Sequence, residues 1–505
     1  MLAMRSKRTA AVVLQSFASG LPLGLVWVAI PDWMRDIGVD IRVVGLITLA
    51  QAPWTFKVLW APLMDRYVPP FWGRRRGWMA VTQVALLVLG LMMAGVGQRP
   101  DAILVVGALA MAIALAAASQ DIAIDAYAVE VLRKDEQGAA AGARTAIYRA
   151  AYSLAGSVAI SMASRLGWPM VNVLLALMYI PMLAITWKSP EPDVEAPPPR
   201  TLREAVWLPF LSFLSRPRAI EILSFVVLYK LSDQLTQSLT RPFLIDMGYN
   251  ADQRGIAVGL ITLVTTMVGA VFGSWVTTLA GLGHALWIFG FLQLFSNLGY
   301  YILSILGRPI PLALYGATGF ELLASGMGTG AFSVLLLRMT EKRFSATQYA
   351  LFSSLFALPR VAAGPITRFA VSALGWPTFF LSTLVVGIPG LLMLHRFAPF
   401  GVREPKFEHE ERAAAAPTSG LLGPSITAAL GLTIIAALIV AVLDAMQATR
   451  AKPPAAFDIG AAMWRLSHPM DVGGWVQIVG ILAFAIVGGV FIAATRAKQT
   501  RAASS

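Results

Sequence analysis

Long apolar runs recur along almost the whole chain, each near the length of a bilayer crossing and separated from the next by a short polar stretch. A helix needs about 20 mostly apolar residues to cover the roughly 30 Å of hydrocarbon in a membrane. On that criterion the pattern predicts spans at 9–31, 42–63, 78–97, 102–127, 139–163 and 168–187. A second set is predicted at 219–245, 255–279, 284–306, 311–337, 347–373 and 376–396, and two more at 421–443 and 474–495. The expected fold is an all-α polytopic membrane protein with fourteen spans, twelve plus two. The first run is expected to remain in the protein as a span. It is too long for a signal peptide, has no small-residue cleavage site, and is followed by many further spans.

A polar, proline-rich stretch from Lys188 to Arg218, with Pro197-Pro198-Pro199 inside it, divides the twelve into two sets of six. It reads as a linker, with Thr201–Leu214 as an interfacial amphipathic helix. The organisation predicted is a six-helix half over 1–187, the linker over 188–218, a second six-helix half over 219–400, and an additional helix pair with a tail over 401–505. An internal repeat agrees with this division. Ser164-Arg165-Leu166-Gly167-Trp168-Pro169 opens the sixth span and Ser372-Ala373-Leu374-Gly375-Trp376-Pro377 opens the twelfth, 208 residues later.

Composition narrows the class further. Of 505 residues 57% are hydrophobic and 13% charged, with a mean hydropathy of +0.69. Soluble domains carry about 25% charged residues, so the polar surface a soluble enzyme of this size needs is missing. Cysteine is absent, which excludes disulfides, thiol catalysis and thiolate metal sites, and the four histidines (His284, His395, His409, His468) have no ligand spacing. The net charge of +13 fits basic loops on one membrane side better than nucleic acid. With both termini inside, about 24 Lys and Arg fall on the cytoplasmic side against about 11 outside, which satisfies the positive-inside rule.

Five cations remain within the spans: Lys57, Arg144, Arg149, Lys230 and Arg360. Ionisable groups there cost several kcal/mol unless paired or hydrated, so each marks a candidate pathway. Asp121 and Asp125, with Gln120 beside them, stand i,i+4 on one face of the fourth span. Arg144 lies about six residues into the fifth span, roughly 9 Å deep, near the depth of Asp121. An Asp121–Arg144 pair is expected, either as a structural ion pair or as part of a pathway. Near the midplane the spans bring Arg149, Lys230, Asp233, Glu321 and Arg360 to one level, with Lys57 somewhat lower and Gln15, Gln51 and Gln234 nearby. Four cations against two acids predict a wet, net-positive cavity suited to an anionic substrate. Lys230 and Asp233 stand i,i+3 and could instead neutralise each other. Glu321 and Asp233 are the candidate proton carriers, because burial and an approaching cation move a carboxyl's proton affinity in opposite directions.

Nucleophile elbow, phosphate loop and metal motif are all absent from the sequence, so neither catalysis nor a cofactor is expected. Gly326-x-Gly328-x-Gly330 inside the tenth span reads as close helix packing or a hinge. Trp33, Trp78, Trp168, Trp376 and Trp475 read as interfacial anchors. Trp54 and Trp60 flank Lys57, and Trp54 could face the cavity and stack on a sugar ring.

Several longer motifs carry a family resemblance. Ala61-Pro62-Leu63-Met64-Asp65-Arg66 followed by Gly73-Arg74-Arg75-Arg76 resembles the signature loop of the major facilitator superfamily, with Ala61 where glycine is usual and an insertion at 68–72. More specifically, five segments together resemble the AmpG-type muropeptide permeases, a branch that includes acetyl-coenzyme A transporters. They are Phe17-Ala18-Ser19-Gly20-Leu21-Pro22-Leu23, Met64-Asp65-Arg66-Tyr67 through Gly77-Trp78, Ala118-Ser119-Gln120-Asp121 with Asp125-Ala126, Tyr229-Lys230-Leu231 with Asp233, and Phe344-Ser345-Ala346-Thr347-Gln348. The resemblance covers about the first 400 residues.

The resemblance implies two six-helix halves that rock around a midplane site and proton-driven import of anhydro-muropeptides across the bacterial inner membrane. It implies gating by Asp65, Arg66, Arg74 and Arg75, to which Arg144 is added. Gln120, Asp121, Arg149, Lys230, Gln234 and Arg360 are then the expected substrate contacts, and Asp125, Asp233 and Glu321 the proton-coupling acids. Partners would be a small glycopeptide, protons and membrane lipid, with no nucleic acid, and the chain is expected to be a monomer. An acetyl-coenzyme A or other organic-anion carrier, and a non-transporting membrane sensor, stand as alternatives.

Overall fold

The computed structural model describes residues 6–39, 48–96, 102–193, 197–216, 218–405, 420–449, 456–469 and 472–502, and among them every regular element is helical. The first half begins with α1 (Lys7–Asp36), which runs through a π turn at Leu25–Ala29. Next come α2 (Ala52–Phe56) and α3 (Ala61–Arg66), then α4 (Arg74–Val96) and α5 (Ile103–Val131). Helix α6 (Lys134–Ser153) passes through a second π turn, Leu154–Val158, into Ala159–Leu166, and α7 (Trp168–Lys188) closes the half. The linker holds α8 (Leu202–Ser215). The second half contains α9 (Ala219–Leu228), α10 (Leu231–Asp246), α11 (Ala251–Ala280), α12 (Leu282–Leu306), α13 (Pro311–Met339) and α14 (Ser345–Phe397). Beyond it lie α15 (Leu422–Ala448), α16 (Ile459–Ser467) and α17 (Val472–Ala502).

Ten of the described helices are long and apolar enough to cross a membrane. The other four predicted spans, the second, fifth, seventh and eleventh, are helical but fail that test, and each carries a cation that the hydropathy pattern left inside the bilayer. The second span is also segmented. Its first residues lie outside the described ones. Thereafter Pro53 and Pro62 each open a short helix, because proline suits the first turn and not the interior. Lys57 sits at the break, in a 3₁₀ turn. The seventh span likewise breaks at Tyr229–Lys230, between α9 and α10.

Helix packing within a bilayer gains little from hydrophobicity, so small residues that let backbones approach decide it. Helix α6 lies against α1 on one side and α11 on the other, and α11 packs on α13. The α6–α11 seam joins the halves. A Cβ on Gly142 would stand 2.8 Å from Ser274 Cβ and 2.9 Å from the Ala270 carbonyl oxygen, so no larger residue fits there. The Gly326–Gly330 segment also serves close packing, on α11 and on Gln293 of α12. In the second half α14 packs on α9 and α10, and it reaches α5 of the first half.

One expectation is corrected. Trp33 and Trp168 are buried and stacked, 5.8 Å between ring centroids, so they hold α1 to α7 instead of anchoring at an interface. In the linker helix, residues 207–211 with Phe213 and Leu214 are buried against α3, α9, α14 and α17.

The sequence repeat has a backbone meaning. Gly167 (φ 77°, ψ 153°) and Gly375 (φ 73°, ψ 168°) adopt the same conformation, open only to glycine, and each turns the chain into a helix that begins Trp-Pro. A Cβ on Gly375 would meet nothing within 4 Å. Gly375→Ala therefore reports backbone strain alone and should lower stability by roughly 1–3 kcal/mol. Thermal unfolding in detergent checks this; an unchanged midpoint would contradict the turn assignment.

Candidate functional site

Three polar clusters occupy the helix bundle. The first ties the two halves together at one end. Asp65, at the end of α3, is fully buried and accepts four hydrogen bonds. Arg75 donates to its Oδ1 at 2.6 Å and the Ala346 amide at 3.2 Å, while the Thr347 amide (2.8 Å) and hydroxyl (2.7 Å) donate to Oδ2. Ala346 and Thr347 belong to the first turn of α14, whose amides have no partner within their own helix and which carries partial positive charge. A carboxylate of the first half thus caps a helix of the second. Arg75 also donates to the Met64 carbonyl, to Glu130 Oε1 at 2.7 Å and to Ser345 Oγ at 2.8 Å. Arg74 (2.8 Å) and Ser345 (2.5 Å) donate to the same Glu130 oxygen. Two acids and two arginines balance here, which makes a buried charged network tolerable.

Local geometry follows the motif residues. Gly73 takes a positive φ of 74° to start α4, the Trp78 indole donates to the Tyr67 carbonyl at 2.8 Å, and Pro69 and Phe71 close over Gly77. Gln348, one turn into α14, accepts from the Glu341 amide (2.9 Å) and donates to the Pro209 carbonyl of α8 (3.0 Å). The linker helix is therefore bonded to the latch helix. Asp65, Arg74 and Arg75 lie in the latch as expected. Arg66 lies outside it, its guanidinium 5.6 Å from the Tyr67 ring centre, and Arg144 lies in the second cluster. Glu130 was missed because the hydropathy pattern closed the fourth span at residue 127; α5 continues to Val131.

The second cluster is built within the first half. Arg144 donates to Asp125 Oδ1 at 2.6 Å and to Ser16 Oγ at 3.1 Å, and Lys57 reaches Asp125 Oδ2 at 3.3 Å. The expected Asp121–Arg144 pair does not form; Asp121 accepts from Ser19 instead. The helical offset explains this, since Asp125 is one turn nearer the end of α5 where α6 begins. The Trp60 indole donates to Ser119 at 3.0 Å. Gln120 is fully buried inside this half, and Gln15 is held in a closed ring with Gln83 and Thr186, each contact 2.8 Å.

The third cluster lies in the second half. Lys230, at the break between α9 and α10, is 1% exposed and donates to Asp233 Oδ2 (2.9 Å), to the Ser325 carbonyl (3.1 Å) and to Gln293. The i,i+3 neutralisation weighed from the sequence is what forms. Gln237 donates to Glu321 Oε1 at 2.9 Å and to Ser325 Oγ at 3.2 Å. Glu321 is 1% exposed, and its Oε2 has no hydrogen-bond partner. Gln237, four residues after Asp233, was readable from helical spacing; Gln293 was not, since it is a lone amide in an apolar run. Gln234 is half-buried and takes no part in these bonds as described.

The net-positive midplane cavity is thus resolved into separate clusters, one balanced at two cations and two acids, the other with one cation and two acids. Arg149 is in neither. It is exposed on α6, seven residues beyond Gly142 and so on the face that meets α11. The side chain of Arg360 lies outside the described residues.

The profile of the Major Facilitator Superfamily matches residues 12–364. This chain belongs to that superfamily. It is 42% identical over 393 residues to the anhydromuropeptide permease of Escherichia coli K12, covering 77% of this chain and 79% of the relative. An uncharacterized protein of Haemophilus influenzae is 33% identical over 395 residues, with 76% of this chain and 92% of that protein aligned. Among solved structures, a bacterial homologue of the iron transporter ferroportin superposes with a TM-score of 0.56 at 14% identity, over 77% of this chain and 98% of the other. That likeness is one of fold. The chain is a multi-pass membrane protein of a transporter family.

Removing Asp125 would strand two buried cations. Asp125→Ala should cost about 3–5 kcal/mol, the range for breaking a buried pair. Lys57→Ala in the same chain should recover part of the loss. Thermal unfolding of the single and double variants checks this, and an additive double variant would contradict the shared cluster.

Proposed function

We propose that this chain imports anhydro-muropeptides across the bacterial inner membrane together with protons, by alternating access between its two halves. The substrate comes from the 42%-identical relative, named an anhydromuropeptide permease. The observation that carries the coupling is Glu321. Lys230 is already bonded to Asp233, so among the described residues Glu321 is a second acid beside one occupied cation, with one oxygen bonded by Gln237 and the other without a partner. A buried charge without full hydrogen bonding is costly, which is why we assign the coupled proton to Glu321, to be exchanged when the helices around it move and offer a cation or water. Asp233, bonded to Lys230, and Asp125, bonded to Lys57 and Arg144, are the other acids we assign to the coupling.

We place the latch end and both termini in the cytoplasm, a reading supported by the distribution of basic loops. The latch described above then closes the cytoplasmic side while the α6–α11 seam carries the rocking. Arg149, exposed on the seam face, is the cation we assign to a peptide carboxylate of the substrate, with Arg360 as a second. Asp121, Gln120, Lys230 and Gln234 become substrate contacts only after the helices that enclose them move.

Labelled GlcNAc-anhydroMurNAc-tripeptide offered to proteoliposomes under an inward proton gradient tests the reading. The parent protein should accumulate it in a gradient-dependent way that excess acetyl-coenzyme A does not suppress. Glu321→Gln, fixed in a neutral form, should still exchange preloaded substrate but lose uphill accumulation. Gradient-independent uptake, or full accumulation by Glu321→Gln, would sink the proposal.

A further inference from the structure

We infer that Trp54, backed by Trp27, forms the subsite for the substrate's sugar rings; this rests on the transport reading above and adds which part of the molecule binds where. The two indoles meet edge to face at 89° with ring centroids 6.1 Å apart, and both pack in part on the apolar core of the first half. Both are half-buried, unlike the lipid-facing Trp275 at 56% exposed and the core Trp33 at 1%. Trp54 stands three residues before Lys57, on the same side of the second span, and Lys57 reaches into the Asp125–Arg144 cluster. Ser16 and Ser19 on α1 bind that same cluster, and Trp27 lies eight residues beyond Ser19 on the same helix. In the order of residues along both helices, the aromatic pair therefore lies on the side of the charged cluster away from the latch.

The backbone that presents Trp27 is unusual. Leu25–Ala29 is a π turn, and Val28 within it packs against Gly156 of the second π turn, Leu154–Val158. π turns recur at functional sites. Trp54 Nε1 is enclosed and has no acceptor. Buried indole N–H groups ordinarily find one, and a sugar hydroxyl or N-acetyl carbonyl supplies an acceptor of the right kind. The apolar faces of pyranose rings stack on indoles, while the adjacent cations suit carboxylates, so a molecule with sugars at one end and acids at the other is matched in order along the path.

Binding to the purified, detergent-solubilised full chain, measured by calorimetry, separates this from packing. The probes are the GlcNAc-anhydroMurNAc disaccharide without peptide and the same disaccharide carrying its tripeptide. The parent should bind both. Trp54→Leu should weaken disaccharide binding at least tenfold, and Trp54→Phe, which keeps an aromatic face and the packing on Trp27, should lose about threefold or less. Disaccharide binding unchanged in Trp54→Leu would overturn the subsite. So would a parent that binds the glycopeptide but ignores the disaccharide, which leaves the transport reading intact. A parent that binds neither overturns the transport reading and the subsite together. Equal loss in the Leu and Phe variants with a lowered unfolding midpoint would assign Trp54 to packing and overturn the subsite.

Discussion

A charge buried between two bodies that must separate can be tolerated only if every lone pair is bonded, and Asp65 meets that demand with groups drawn from both halves. Two of its bonds come from backbone amides at the start of α14, which no side-chain substitution can supply from elsewhere. Arg75 spans the same junction, bonding Asp65 and Glu130 on its own half and Ser345 on the other. The closed arrangement of the bundle hangs on this cap. Breaking it exposes helix-end amides and a carboxylate together, which is affordable only where water can enter. On the transport cycle proposed above, the latch would be a two-state element: bonded when that end is dry, hydrated when it is open.

The other clusters gain their meaning from this. The linker helix α8 is bonded to Gln348, one residue after the cap, and its apolar body lies against α17 of the additional pair. Movement at the latch is consequently felt by the linker and by α17.

Much of the fold was legible in the sequence because bilayer crossing imposes a length and a composition that few other structures satisfy. The repeat around Gly167 and Gly375 was legible for a sharper reason: only glycine takes that backbone, so its spacing marks equivalent corners. Segmented spans were not legible. Pro53 and Pro62 announce local helix starts, but the 3₁₀ turn at Lys57 between them is set by the reach of its ammonium to Asp125. Pairing was legible where it was local, as for Lys230 and Asp233, and misread where it was not. Arg144 was matched to Asp121 by depth, whereas the rotation of α6 against α5 delivers it to Asp125. Glu130 was lost at a span boundary drawn by hydropathy, a criterion that penalises the charges a gate is made from.

In the proposed transport cycle the cap on α14 holds one end of the protein shut, and its release is linked to opening. With no native cysteine, spin labels can be placed cleanly at Tyr67 and Lys342, on the latch end, and at Arg165 and Asp252, on the opposite end. Pulsed electron–electron distance measurements in nanodiscs should give a single short latch-end distance for the parent protein. Asp65→Ala should add a longer population there and shorten the opposite-end distance in the same molecules. Unchanged distances at both ends in Asp65→Ala, or lengthening at both ends at once, would contradict the account.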